Sequence, residues 1–309
     1  GPLSKLDECL ERVVAAEVAG ELGLAASAEI EVQAVVSREL QGLLRSFGTA
    51  DQLPKRELTL QELRENGVEA ASLLSPEDTT LDHVRKGLLA IVALIGTVLI
   101  VALHPTWFEL FRIIFAGFLA LLVDQVVTQG VLELVVVDSI ARVLDPEYRI
   151  RVSQHEAGHF LVAYLLGILP KAYTLSSLDA LVQYQSPNVQ AGCVFCDGDF
   201  RREVASGSLS GRSLDRFICV ALGGVAAEYV RFGQARGGLT DIQQIESVLQ
   251  SLGFDQRRAS AEVRWAVLNT VSLLRRHADT HLQLSEAMAR GAPIGECIAL
   301  IEQDLCSSA

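Results

Sequence analysis

The chain has 309 residues, half of them apolar, with a formal charge of −12 and a pI near 5.0. That excess of acid argues against a nucleic-acid partner, which requires clustered Lys and Arg. The mean hydropathy of +0.32 is high for a water-soluble protein, and its source is local.

Gly1-Pro2-Leu3-Ser4 has the form of a cleavage scar left by recombinant expression, and the single methionine is Met288. The native start, with any targeting peptide, is therefore expected to lie outside this chain. Residues 5–85 read as an acidic, mostly helical domain. Leu6, Leu10, Val13, Val14 and Val18 form a helical stripe, and similar spacing recurs through 30–44. Gly48 to Pro54 reads as a loop, followed by short helices over 58–74 and 80–85. This domain holds no catalytic cluster. Its expected use is packing against, interacting with or shielding the C-terminal half of the chain.

Residues 86–145 form an apolar helical segment. Gly87 to Leu103 carries no charge, and its length as a helix, about 26 Å, approaches the thickness of a thin hydrocarbon core. Arg85 and Lys86 precede it, His104-Pro105 ends it, and Trp107 and Phe108 suit a membrane interface. Shorter apolar stretches follow at 113–123 and 131–137, the last containing Glu133. The segment reads as a transmembrane hairpin or embedded anchor in contact with membrane lipid; a buried core in a soluble helical domain is the alternative.

Residues 146–309 open on His155-Glu156-Ala157-Gly158-His159. Residues four apart share a helix face, so both imidazoles can close on one zinc ion, the expected cofactor. Glu156 is positioned to take a proton from a water on that ion, the general-base role. Ser153 is the expected N-cap, and Gly167 and Pro170 are the expected stop. The apolar run from Phe160 to Leu166 implies burial. A third ligand is required, and the downstream candidates are Asp179, Asp197, Asp199, Asp215, Glu228, Asp241, Glu246, His277 and His281.

Between the His-bearing helix and the Gly-Gly segment at 223–224, residues 172–176, 181–185 and 192–196 read as strands of a small sheet, with Pro187-Asn188 as a turn. An exposed edge there could take an extended substrate by strand addition. The stretch 197–212 reads as a mobile polar loop, a lid candidate. Cys193-Val-Phe-Cys196 lies on one strand with its thiols on opposite faces, which disfavours a shared metal or disulfide. His277-Ala-Asp-Thr-His281 repeats the His spacing without the Glu and reads as a solvated helix surface. The six cysteines, without a framework spacing, suit a reducing compartment.

Leu222-Gly223-Gly224-Val225-Ala226-Ala227-Glu228-Tyr229-Val230 and Gly237-Gly238-Leu239-Thr240-Asp241-Ile242 narrow the ligand choice. With H-E-A-G-H, they resemble the protease domain of the FtsH-type zinc metallopeptidases over residues 154–303. The resemblance implies a fold that is mainly α with a small β-sheet: a zincin-like peptidase domain preceded by a helical domain and the apolar segment. It implies His155, His159 and Asp241 as metal ligands, Glu156 as general base, and Glu228 as the group accepting the outer N–H of a ligating His. Tyr229 replaces the family's second Glu. Independently, Asp241 opens a helix whose dipole favours an anion.

No G-x-x-x-x-G-K-[ST] phosphate loop occurs in the 309 residues, although FtsH proteases carry an ATPase module ahead of the peptidase. The chain is similar to the ATPase-lacking FtsH-like proteins of plant and algal plastids. That likeness implies ATP-independent cleavage of protein substrates in a chloroplast membrane, thylakoid or envelope. It also implies an ATPase-bearing FtsH partner or a homo-oligomer. Two other classes stay open: a non-proteolytic assembly factor keeping a structural zinc, and an intramembrane protease of the site-2 type. Leu178-Asp179-Ala180 is a poor match to the ligand motif of the latter, and Arg149, Arg151 and Gln154 place the start of the His helix outside a bilayer.

Overall fold

A computed structural model describes residues 1–76, 80–128, 130–185, 192–196 and 198–307. The chain is mainly helical with one two-stranded sheet. It divides into two compact units, one of residues 1–77, 150–173 and 192–309, the other of 78–149 and 174–191. The units thus cut across the expected boundaries at 85 and 145: the N-terminal helices join the His helix in one core.

In the first unit, α1 (Pro2–Val18) and α2 (Leu22–Arg38) pack as a hairpin. The expected stripe is buried at Leu6, Leu10, Val13 and Val14, joined by Cys9. Pro2, Leu3 and Ser4, expected to be a cleavage scar, supply the first turn of α1. Two short helices follow, α3 (Leu60–Glu65), closed by a Thr59–Glu62 capping box, and α4 (Ala70–Leu74).

The first unit is built around α8 (Pro146–Leu165), which is buried from Ser153 to Leu165. This helix starts two turns earlier than expected, because Pro146 occupies its first turn, where a missing N–H costs nothing. Ser153 is consequently not its cap; the hydroxyl donates back to the Ile150 carbonyl. At the other end Gly167 (φ +81°) terminates the helix as expected. The N-terminal segment covers that end: Gly48 and Ala50 N–H groups donate to the Tyr164 and Leu165 carbonyls. Tyr164 donates its hydroxyl to Glu302, which also accepts the Arg45 and Ser46 N–H groups. Such bonds satisfy carbonyls a helix terminus would leave unpaired.

The sheet consists of β1 (Leu169–Thr174) and β2 (Gly192–Cys196). The strand expected at 181–185 is instead helical, in α9 (Ser177–Tyr184) of the second unit; the Ser176 hydroxyl caps it by accepting the Asp179 N–H. Local capping outweighs the β-branched composition there. The expected Pro187-Asn188 turn lies outside the described residues. The expected polar loop at 197–212 contains a helix, α10 (Gly198–Ala205), before α11 (Gly211–Ala221). α12 (Gly223–Phe232), α13 (Leu239–Ser251), α14 (Gln256–Arg276), α15 (Ala278–Ala289) and α16 (Ile294–Ser307) complete this unit.

The second unit holds α5 (Thr80–Leu103), α6 (Trp107–Val123) with a π-turn at Asp124–Thr128, and α7 (Val131–Leu144). By length and composition, the helices over Leu81–Leu103 and Trp107–Val127 could each cross a membrane. The second is longer than the apolar run at 113–123, since a Thr106–Glu109 capping box starts the helix before the run begins. Asp124 accepts the Leu132 and Glu133 N–H groups, fastening the π-turn to the start of α7.

Candidate metal centre

His155 and His159 lie one turn apart on α8, and their Nε2 atoms face each other at 3.1 Å. Asp241, 86 residues beyond His155, brings Oδ2 to 3.1 Å from His155 Nε2 and 3.4 Å from His159 Nε2. A tetrahedral ion with bonds of about 2.1 Å sets its ligand atoms about 3.4 Å apart, so the three donors are spaced for one small cation. His155, His159 and Asp241 are the cluster among the described residues able to hold a metal.

The outer hydrogen bonds fix which nitrogen faces inward. His159 Nδ1 lies 2.7 Å from the Val220 carbonyl, which can only accept, so Nδ1 carries a hydrogen and, in the neutral ring, Nε2 holds the lone pair. His155 Nδ1 lies 2.8 Å from Glu228 Oε1 and donates in the same way. Two imidazole lone pairs and a carboxylate oxygen then converge at close range, which is repulsive unless a cation or proton lies between them. The chemistry of the donor set fits zinc.

Glu228 is buried at 2% exposure, and its carboxylate also accepts the Arg236 N–H at 2.9 Å and the Gly237 N–H at 3.2 Å. Burial alone would raise its pKa; the bond and charge of His155, the Arg236 N–H and the charge of Arg151 together outweigh that and lower it. Burial likewise favours neutral His155, but the bonds to Asp241 and Glu228 raise it well above an ordinary histidine. The Asp241 carboxyl is held far below the usual range, the charge of His159 and the bond from His155 outweighing burial. Asp241 and Glu228 thus supply negative charge that protonated imidazoles balance here and that a divalent cation would balance when bound.

Glycines make room for this arrangement. α12 crosses α8 so closely that a Cβ on Gly223 would meet the Gly158 carbonyl at 2.9 Å. A Cβ on Gly224 would meet His155 Nε2 at 2.2 Å, so the imidazole occupies the space of the missing side chain. Gly238 (φ +90°) caps α13 and turns the chain so that Asp241 falls in the helix's first turn rather than opening it.

Glu156 is 6% exposed, and its Oε2 has no hydrogen-bond partner among the described residues. A buried carboxylate oxygen without a partner is costly unless a ligand or water completes it. The first residue of β2 lies alongside: a Cβ on Gly192 would sit 3.8 Å from that oxygen.

No known protein family, characterised protein or solved structure matched the chain.

The described residues among the other third-ligand candidates lie outside this cluster. Asp179 lies in the first turn of α9, Asp215 pairs with Lys55, and Glu246 is exposed on α13. Asp197 and the Asp199 side chain lie outside the described residues. His277 sits at the break between α14 and α15, so the second His pair does not share a helix face. His281 is buried rather than solvated, bonded at 2.8 Å to the Gln154 carbonyl, and burial pushes its pKa down to about 4. The thiols of Cys193 and Cys196 are free; burial raises the first well above its ordinary value and the second to about 12. Tyr229 accepts the Glu69 N–H and donates to the Gly67 carbonyl, tying down the N-terminal segment. Sequence reasoning missed the Val220 carbonyl, because a backbone acceptor leaves no residue-type signal.

Proposed function

We propose that this chain is a zinc metalloendopeptidase of the FtsH type, working on membrane or membrane-associated proteins. The observation that carries this reading is the convergence of two imidazole nitrogens and a sequence-distant carboxylate beside the unsatisfied oxygen of Glu156. Zinc, when bound, supplies Lewis acidity, lowering the pKa of a coordinated water to about 7 and polarising the scissile carbonyl.

The chain's own residues do the rest. Glu228 and the Val220 carbonyl orient the two imidazoles so that their Nε2 atoms are available as ligands. Glu156 Oε2 would accept the proton released as the peptide is attacked and return it to the leaving amine. An extended peptide could lie along β2, whose first residue, Gly192, flanks Glu156. The 309 residues hold no phosphate-binding loop, so cleavage by these residues alone would act on segments that are already extended. The helices over 81–103 and 107–127 would anchor the protein at the bilayer that holds them.

Glu156→Gln tests this reading. It should retain one zinc per chain and lose peptide hydrolysis by a factor of about 10²–10⁴. Undiminished hydrolysis by that variant, or none by the zinc-loaded native chain on any unfolded substrate, would rule the reading out.

A further inference from the structure

Arg151 stands one turn before His155 on α8, on the same helix face. Its side chain is only 12% exposed, which is rare for a cation without anionic company. Nη1 lies 3.4 Å from Glu228 Oε2 and 3.4 Å from the Gln234 carbonyl, an acceptor. The guanidinium carbon also sits 4.0 Å from the centre of the Phe232 ring, a cation over an aromatic face.

These contacts fall at chosen places along the chain. Glu228 and Phe232 lie on α12, and Phe232 is its last residue. Gln234 lies in residues 233–238, the connection that leads from α12 to Asp241 in the first turn of α13. The Glu228 carboxylate works on both sides of that connection. It accepts from His155 Nδ1, and it accepts the Arg236 and Gly237 N–H groups within the connection. Glu228 and Asp241 thus bond the two nitrogens of one imidazole, with the connection running between them. A buried carboxylate such as Glu228 is costly unless a cation is near. Arg151 supplies a fixed positive charge there. Its two contacts are long, so the charge, strengthened by burial, carries more of the effect than either bond.

Resting on the zinc reading above, we infer that Arg151 is a positioning residue for the metal centre. One guanidinium holds Glu228, and through it His155, and also holds the connection that delivers Asp241. Arg151 is not itself a ligand and acts through these neighbours.

The test compares the zinc affinity of native protein, Arg151→Met and Arg151→Lys by competition with a chromogenic chelator. Met keeps the apolar stem and removes the charge, whereas Lys keeps both. Arg151→Met should bind zinc about tenfold more weakly, the low end of the range for groups that orient a ligand. Arg151→Lys should lose only about threefold, because the charge remains. If Arg151→Met does not fold, Arg151→Gln takes its place with the same expectation. Native affinity in the neutral variant, or an equal loss in the Lys variant, would overturn the inference. A native chain that binds no zinc would sink the peptidase reading instead, and amide hydrogen exchange on metal-free protein then tests Arg151 separately. Residues 233–238 should exchange about tenfold faster in the neutral variant, with α8 and α12 unchanged. Native exchange rates in that connection, or a uniform acceleration of all three segments, would also overturn the inference.

Discussion

Gly224→Ala adds one methyl group to α12, and its effect can be worked from the structure. In an ordinary helix the change would stabilise, since glycine is about 1 kcal/mol worse than alanine. Here the new Cβ would lie 2.2, 2.4 and 2.5 Å from His155 Nε2, Cδ2 and Cε1. Relief to ordinary contact near 3.5 Å requires the ring to move by about 1 Å. The ring cannot move freely, because Nδ1 is held at 2.8 Å by Glu228, itself bound by the Arg236 and Gly237 N–H groups. Metal ligands tolerate displacements of about 0.2 Å, so His155 would cease to ligate. The expected result is a loss of about 100-fold or more in zinc affinity, or about 2.7 kcal/mol. Overpacking should also lower stability by about 1–3 kcal/mol when chelator is present. Competition with a chromogenic chelator and thermal unfolding in EDTA measure the two effects. Native zinc affinity in the variant, or a rise in unfolding temperature, would refute the claim that this glycine makes room for a ligating imidazole.

Three further outcomes are expected. Glu228→Gln, which keeps the shape but weakens the acceptor for His155, should lower zinc affinity about 10–100-fold by chelator competition; an unchanged affinity would mean the carboxylate is merely structural. His281 should make the protein acid-sensitive. Its folded pKa is about 4 against 6.5 in the unfolded chain, so below pH 6.5 the unfolded chain takes up a proton that the folded one refuses. The stabilisation it provides is complete above pH 6.5 and is lost towards pH 4, about 3 kcal/mol in all. Denaturant titrations of native and His281→Gln protein should therefore converge as pH falls through this window, and parallel curves would contradict the assignment. Lastly, the whole chain should float with phosphatidylcholine vesicles in a density gradient, through its helices over 81–103 and 107–127. Recovery as a monodisperse protein without detergent at the bottom of the gradient would show that those helices do not insert.

The parts of the fold and site that were legible in the sequence are those written as periodicity or side-chain chemistry. The stripe of α1, the apolar run of α5 and the one-face spacing of His155 and His159 follow from helix geometry alone. The start of α8 was misplaced because Ser153 is a plausible cap by residue type, while Pro146 starts the helix two turns earlier. Residues 181–185 read as strand by composition, yet a single Ser176 cap makes them helical. The approach of Asp241 to imidazoles 82 and 86 residues away is a tertiary contact that no local periodicity encodes.

The most direct measurement is zinc content, taken on native protein and on Asp241→Ala after dialysis against a weak chelator. If two imidazoles and this carboxylate form one centre, native protein should hold one zinc per chain and the variant much less than one. Full zinc retention by Asp241→Ala would contradict the account.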